Sequence, residues 1–293
     1  MTRFDAWHAS FRPDVFRTVR DLLGSVLGAV LEPRPKGIHG YTHSELVRVD
    51  GVTHGLVAWG GVNERPLIQI NGEASAKWAE AVQSLALPDR GETPFAMLTR
   101  ADVCFDWIDK LDVCSLAPAF RAAVSGSEAS GRPVQWDMRG DWDTVEGRKR
   151  GCTLYMGAST SSARIRLYDK GAEQIGKLVE APRDLRRLEL QFRPNGKIEK
   201  AEYVSLRPSE FWGMTRAARI AARHFGVPLE DGVSRHYSEP SDIEKLQTLA
   251  SVQYGAAIVA MVASLLGPGA AETLEREVHR RKTEHQTLVR LRA

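Results

Sequence analysis

A phenol set among cations is the most chemically suggestive stretch of this 293-residue chain. In Ala163-Arg164-Ile165-Arg166-Leu167-Tyr168-Asp169-Lys170 apolar and polar residues alternate, and a period of two belongs to a half-buried strand. Ile165 and Leu167 then face a core, while Arg164, Arg166, Tyr168 and Lys170 share the other side. That side suits a phosphate-rich ligand, because guanidinium and ammonium groups donate charge-assisted hydrogen bonds to phosphate oxygens. Two further segments carry complementary faces. Over Thr99–Asp106, Val103 and Phe105 point inward, and Asp102, Cys104 and Asp106 share the opposite side. Over Arg187–Arg193, Leu188, Leu190 and Phe192 are the core set, and Arg187, Glu189, Gln191 and Arg193 the polar set. One such face alone is an ordinary solvated charge pattern. Three in one sheet would gather a tyrosine, carboxylates and arginines, the equipment for metal-assisted phosphoryl transfer through a covalent tyrosine. A tyrosine of ordinary pKa, about 10, needs help near neutrality. A divalent ion together with Arg166 and Lys170 is expected to favour its phenolate.

The elements that must position these groups follow from hydrophobic spacing. Met1 to Leu31 reads as a polar start followed by a helix, with Val15, Val19, Leu22, Leu23, Val26 and Val30 at three- and four-residue steps. Three short strands follow around Leu46–Val49, Leu56–Trp59 and Leu67–Ile70, punctuated by Gly51, Gly60-Gly61 and Asn71-Gly72. Their connections are too short for crossovers, so antiparallel pairing is expected. Asn71 and Glu73 lie where they would approach the polar face, although Asn-Gly is first a turn. Ala74–Leu87 and Asp112–Val124 read as helices flanking the aspartate strand. The segment 133–151, rich in Trp and charge, has the composition of a base-stacking surface or of an edge strand packed on the body. Cys152–Met156 and the tyrosine strand form a hairpin through Gly157–Ser162. Tyr155, in that hairpin, is a rival nucleophile without flanking cations. By alternation Asp169 points to the core side, a strand-end role, and Glu173 is a second-tier candidate for metal or proton transfer.

The pattern predicts an α+β protein: a mainly antiparallel sheet with helices on one face, an open catalytic face, and a helical C-terminal region. Residues 1–197 would form the catalytic domain. Residues 198–293 would supply DNA or partner contacts or a dimer interface, with helices over 198–204, 209–225, 241–266 and 270–292. Thr248–Leu266 is uncharged and of nearly membrane-spanning length, but its Gln, Ser and Ala content favours a buried or self-associating helix over insertion. Net charge is only +3, too little to argue for nucleic acid alone. Its distribution says more: residues 160–223 hold fourteen Lys/Arg against eight Asp/Glu, a stripe suited to a phosphate backbone or to solvent. Cys104, Cys114 and Cys152 form neither a metal-ligand spacing nor an even disulfide set, which fits a reducing cytoplasm. The early acidic and aromatic residues give no signal-peptide pattern, and no P-loop or dinucleotide fingerprint occurs.

Seven short motifs occur in order: Gly40-Tyr41, Trp59-Gly60-Gly61, Ile70-Asn71-Gly72, Arg100-Ala101-Asp102, Leu154-Tyr155-Met156-Gly157, Arg166-Leu167-Tyr168-Asp169-Lys170 and Arg187-Leu188-Glu189. Together they resemble the replication initiation factor family of rolling-circle plasmids, filamentous phages and some integrative elements, over about Gly40 to Arg193. The resemblance implies an enzyme that nicks one strand at a replication origin. Its nucleophile, in the arginine–aliphatic–tyrosine–Asp/Asn–lysine motif, falls on Tyr168. Its metal-holding carboxylates fall on Asp102 and Glu189, with Asp106 a further candidate. No His-hydrophobe-His triplet is present, so carboxylates holding Mg²⁺ or Mn²⁺ are expected. Arg166 and Lys170 would assist catalysis, and Arg164, Arg187, Gln191 and Arg193 would contact DNA. Implied partners are origin DNA (a nicked single strand or hairpin), a host helicase and a second copy of the chain, with no membrane, in a bacterial cytoplasm. Two rival readings stand: a hydrolytic metal-dependent nuclease built on Asp102 and Glu189-Leu190-Gln191, with Gln in the usual place of Lys, and a non-catalytic DNA-binding regulator.

Overall fold

The structure, a computed structural model, describes residues 1–85, 94–125, 134–140, 142–143, 151–175, 181–194 and 197–230, with isolated positions 276 and 279. Among them ten strands make one antiparallel sheet: β1 (Thr2–Phe11), β2 (Val30–Pro33), β3 (His43–Val49), β4 (Val52–Trp59), β5 (Leu67–Asn71), β6 (Ala96–Ile108), β7 (Trp136–Arg139), β8 (Thr153–Met156), β9 (Ala163–Tyr168) and β10 (Leu185–Phe192). Their order is β2-β3-β4-β5-β1-β6-β10-β9-β8-β7. This order reads the same from either edge when β1 exchanges with β6, β2 with β7, β3 with β8, β4 with β9 and β5 with β10. In each half a long central strand feeds a helix, and a four-stranded meander then returns beside it.

The helices are α1 (Pro13–Leu27), α2 (Ala74–Gln83), α3 (Val113–Ser125), α4 (Lys170–Gln174), α5 (Lys197–Glu202), α6 (Pro208–Phe211) and α7 (Arg216–His224). α1 shows why the chain folds this way locally. Pro13 sits in its first turn with Asp14, and Val15, Val19, Leu23 and Leu27 repeat every four residues on the buried side. Gly28, in the left-handed region (φ 66°), ends it by donating its N–H to the Gly24 carbonyl. One hydrophobic cluster joins that stripe to Trp78 of α2, Phe120 of α3, Phe211 of α6 and the inward residues Trp7, Val103, Leu154, Ile165, Leu167, Leu188 and Leu190. The core thus lies on one face of the sheet, as expected for the α+β class.

Strand β1 is the principal departure from expectation. The stretch before Pro13 was read only as a polar start, yet it holds the middle of the sheet between β5 and β6. A bulge between Phe4 and Ala6 shifts the register against β6, so Phe4 and Trp7, three apart, both reach the core. That spacing hides the period of two. The compact unit holding the sheet comprises Met1–Pro194 and Ile198–Val233, so the helices from 198 through 224 pack with the sheet beyond the boundary drawn at 197. The helix read over 209–225 is two, α6 and α7, with Thr215 accepting from the Ala218 N–H to cap the second. A second unit is Asn195–Lys197 with Ser234–Ala293. The helices expected over 241–266 and 270–292 lie outside the described residues. No helix among the described residues is long and apolar enough to cross a membrane. Cys114 and Cys152 are free thiols with their Sγ atoms 2.8 Å apart.

Candidate active site

Register alone assembles the polar face. β10 pairs with β6 so that Gln191 lies opposite Asp102, Glu189 opposite Cys104 and Arg187 opposite Asp106. It pairs with β9 so that Arg187 lies opposite Tyr168, Glu189 opposite Arg166 and Gln191 opposite Arg164. β8 adds Tyr155 opposite Arg166. The three segments singled out by alternation are therefore neighbouring strands, and Tyr168, Asp102 and Glu189 share the face away from the helices. A cavity of about 320 Å³ opens there, lined by Asp5, Asn71, Arg100, Asp102, Tyr155, Arg164, Arg166, Glu189 and Gln191 among others.

Glu189 is the hub. It is 4% exposed; its Oε2 accepts from Arg166 Nη2 at 2.7 Å and from the Tyr168 hydroxyl at 3.3 Å. Burial pushes its carboxyl up to about 7; Arg166 opposes that, while the charges of Asp102 and Asp5 reinforce it. Tyr168 is 4% exposed. The Arg166 guanidinium lies 4.1 Å from its ring centroid, and Lys170 Nζ lies 5.6 Å away. Arg166 favours the phenolate, as expected, but in the absence of an ion it is outweighed. Burial, then the neighbouring Glu189 charge, raise the Tyr168 pKa, and the opposing pull of Arg187 and Arg166 does not restore it. Tyr168 does not line the cavity; its hydrogen bond to Glu189, which does, is its link to it.

The remaining residues sort into two groups. Asp102 is clamped by Arg100, with Nε to Oδ1 at 2.8 Å, and Gln191 Nε2 approaches at 3.5 Å. Arg164 lies 3.9 Å over the Tyr155 ring and 3.4 Å from Asp137. These groups converge with Glu189 and Arg166 on the cavity. Asp106 does not: Arg187 holds it with two hydrogen bonds of 2.6 and 2.8 Å, and Arg3 adds one of 2.7 Å. Burial raises its pKa, but these partners outweigh that and hold it below the usual carboxylate value. Arg187, 3% exposed, also reaches Asp5 at 2.8 Å; it ties β10 to β6 and β1 and presents nothing to a ligand in this state. Lys170 Nζ pairs with Glu173 at 2.7 Å, and Arg193 lines a neighbouring cavity instead. Asp169, turned away as alternation requires, accepts the Val113 and Cys152 N–H groups and pairs with Arg186 at 3.1 Å. Trp136 is an edge-strand residue stacked edge-on to Phe120, the packing reading of its segment.

Three participants were not named beforehand. Arg100 was quoted only within a motif, Asp5 lies on the unrecognised strand, and His8 Nε2 meets Asn71 Oδ1 at 2.9 Å. Burial lowers the His8 pKa to about 4, so it is neutral near pH 7 and its Nε2–H donates to Asn71.

Hard oxygen donors facing a cavity suit Mg²⁺ or Mn²⁺. Among the described residues no group of three or more His, Cys, Asp or Glu is arranged to hold a metal. Asp102 and Glu189 both line the cavity and are the carboxylates available to an ion there, each now paired with an arginine, Arg100 and Arg166.

Residues 96–221 match the family model for replication initiation factor. That segment, 126 of the 293 residues, is where the chain resembles the replication initiation factor family. The matched span contains every residue named above as catalytic, metal-holding or DNA-contacting; Asp5 and His8 fall outside it. A solved rolling circle replication initiator protein from Geobacillus stearothermophilus is similar at a TM-score of 0.50, with 18% identity, over 72% of this chain and 82% of that one. At that identity the likeness speaks for the shared fold. No curated protein matches.

Proposed function

We propose that this chain acts as a replication initiation factor, starting rolling-circle replication by nicking one strand of origin DNA and holding its 5′ end on Tyr168. The observation that carries the reading is the hydrogen bond from the Tyr168 hydroxyl to Glu189, a carboxylate whose pKa of about 7 matches a general base working near neutrality. Glu189 takes the phenolic proton, and Tyr168 Oη bonds to phosphorus as the P–O3′ bond breaks. The departing 3′ oxygen takes up a proton to become the hydroxyl that primes synthesis. Attack by a later 3′-hydroxyl reverses the sequence and reseals the strand. Arg166 and Arg164 face the cavity and neutralise phosphoryl oxygens, while Lys170 adds positive potential above the phenol. Asp102 and Glu189 would hold Mg²⁺ or Mn²⁺, which supplies Lewis-acid polarisation of the scissile phosphate when bound. Arg187 and Asp106 act as positioning residues, fixing β10 against β6. A host helicase and a second copy of the chain complete the proposed assembly.

A specific observation also favours a second reading. Asp102 and Glu189 line the cavity while Tyr168 does not, which places the carboxylates where a hydrolytic nuclease would need them. One experiment separates them. Supercoiled DNA carrying the element's own origin is incubated with Mn²⁺, and protein bound to a 5′ end is sought. The tyrosine reading expects an adduct from the wild type, and from Tyr168→Phe origin binding without adduct or nicking. Normal nicking by Tyr168→Phe removes Tyr168 from the mechanism.

A further inference from the structure

A second and larger cavity, about 730 Å³, lies beside the first on the same sheet face and shares Arg100 with it. It lies on the half of the sheet built from β1 and β5, where His8 pairs with Gln69, and its lining also includes Tyr41, Glu64 and Arg65. Its volume falls within the roughly 300–1,000 Å³ typical of small-molecule sites. Two loops wall it, and both turn through the left-handed region, which His39 adopts at a cost and the glycines do not. His39 (φ 53°), Gly40 (84°), Gly60 (75°) and Gly61 (81°) all lie in the left-handed region. Asn63 Nδ2 donates to the His39 carbonyl at 2.9 Å, and the Tyr41 hydroxyl donates to the Arg65 carbonyl at 2.8 Å, tying the loops together. A Cβ on Gly61 would stand 2.3 Å from the Gly40 carbonyl oxygen. Strain kept in loops that wall a cleft is a reason to look for a ligand there.

The lining names the ligand's chemistry. Arg193 lies where the charges of Arg100 and Arg164 oppose its own, with Asp102 as the counter-charge, and burial and those arginines depress its pKa; its guanidinium donates to the Ser159 carbonyl at 3.3 Å. An anion beside Arg193 would relieve that repulsion. Gln69 and neutral His8 offer donors and acceptors without net charge, the groups that read a base edge. Val62, 86% exposed at the rim, offers apolar contact.

We infer that this cavity binds a nucleotide of the single strand flanking the scissile phosphate, its base between the two loops and the sheet and its phosphate on Arg193. The inference rests on the nicking proposal for the word scissile, but strand binding is measured without it. The test uses the full chain and fluorescein-labelled dT12, followed by anisotropy across a salt series. Val62→Asp puts a carboxylate at the rim without disturbing packing and is expected to weaken binding about tenfold; Val30→Asp, exposed on edge strand β2, is expected to match the wild type. Arg193→Gln should flatten the slope of log K against log salt by about 0.7, the value for one phosphate contact to a single strand. Val62→Asp binding as tightly as Val30→Asp, or an unchanged salt slope for Arg193→Gln, overturns the assignment. A wild type that shows these differences yet never forms a covalent adduct would cost the nicking proposal and leave the cavity assigned.

Discussion

Replacing Glu189 by Gln isolates the group on which the proposed chemistry turns. In the folded chain its carboxyl titrates near 7 instead of the ordinary 4.5. The folded state therefore holds the proton between these values while the unfolded chain has lost it. Stability from this group is complete below pH 4.5 and is lost as pH rises through 7. At about 1.4 kcal/mol per tenfold change in proton affinity, the whole excursion is worth roughly 3 kcal/mol. Urea unfolding of wild type and Glu189→Gln at half-unit steps from pH 4 to pH 8 measures it, since every other titrating group is common to both. The wild type should lose roughly 3 kcal/mol relative to the variant across that range. Nicking should run the other way. Ionised Glu189 is the base, so the wild-type rate should rise about tenfold per pH unit below 7 and level above it, whereas the variant should be slow throughout. A stability difference that stays flat between pH 5 and 8 would mean an ordinary carboxyl, and the general-base argument would go with it.

Two further substitutions test what holds the site in place. Asp169→Asn leaves Arg186 buried beside an uncharged partner and weakens the acceptor for the Val113 and Cys152 N–H groups; a loss of about 3–5 kcal/mol in urea is expected, and a loss under 1 kcal/mol would show the pair to be dispensable. Gly61→Ala should cost clearly more than Gly28→Ala in thermal melts, because both have positive φ but only the first drives its Cβ onto a carbonyl oxygen; about 2–3 against about 1 kcal/mol is expected, and equal costs would deny the loops their tight approach.

The catalytic half of the sheet was legible because its strands obey one rule without interruption. β6, β9 and β10 alternate strictly, so naming the inward residues fixed the outward ones, and register then brought Asp102, Glu189, Arg164 and Arg166 to one cavity. β1 was not legible, because one inserted residue puts Phe4 and Trp7 at a helical spacing. With it went Asp5 and His8. A signal for that strand was nonetheless present: Thr2-Arg3-Phe4-Asp5 and Thr99-Arg100-Ala101-Asp102 repeat the pattern Thr-Arg-x-Asp at the exchanged central strands. What no pattern could reveal was pairing. Asp106 has the same alternation as Asp102, yet Arg187 and Arg3 take it out of play while Asp102 faces the cavity. Choice of partner among many arginines is a matter of side-chain reach, which spacing along one strand does not encode.

The charge inventory of the cavity gives the cation proposal a footing independent of motif. With Glu189 ionised, the lining carboxylates of Asp5, Asp102 and Glu189 balance the guanidinium groups of Arg100, Arg164 and Arg166. A phosphodiester entering that balanced, partly dehydrated space adds an uncompensated negative charge. Glu189, already lifted to about 7 by burial and by Asp102, would then be driven higher and would hold its proton when it is needed as a base. Arg164 and Arg166 can turn toward its oxygens, but their charges are already counted in that balance. Asp102 and Glu189 would be the residues to hold a divalent ion here, whose charge would offset that of the phosphate and favour ionised Glu189. The phenol stays protonated under Glu189 while no strand is bound, since burial and the Glu189 charge outweigh the pull of Arg187 and Arg166 toward its anion. Reactivity would arrive with substrate and ion together, which suits an enzyme whose covalent product must form only at an origin.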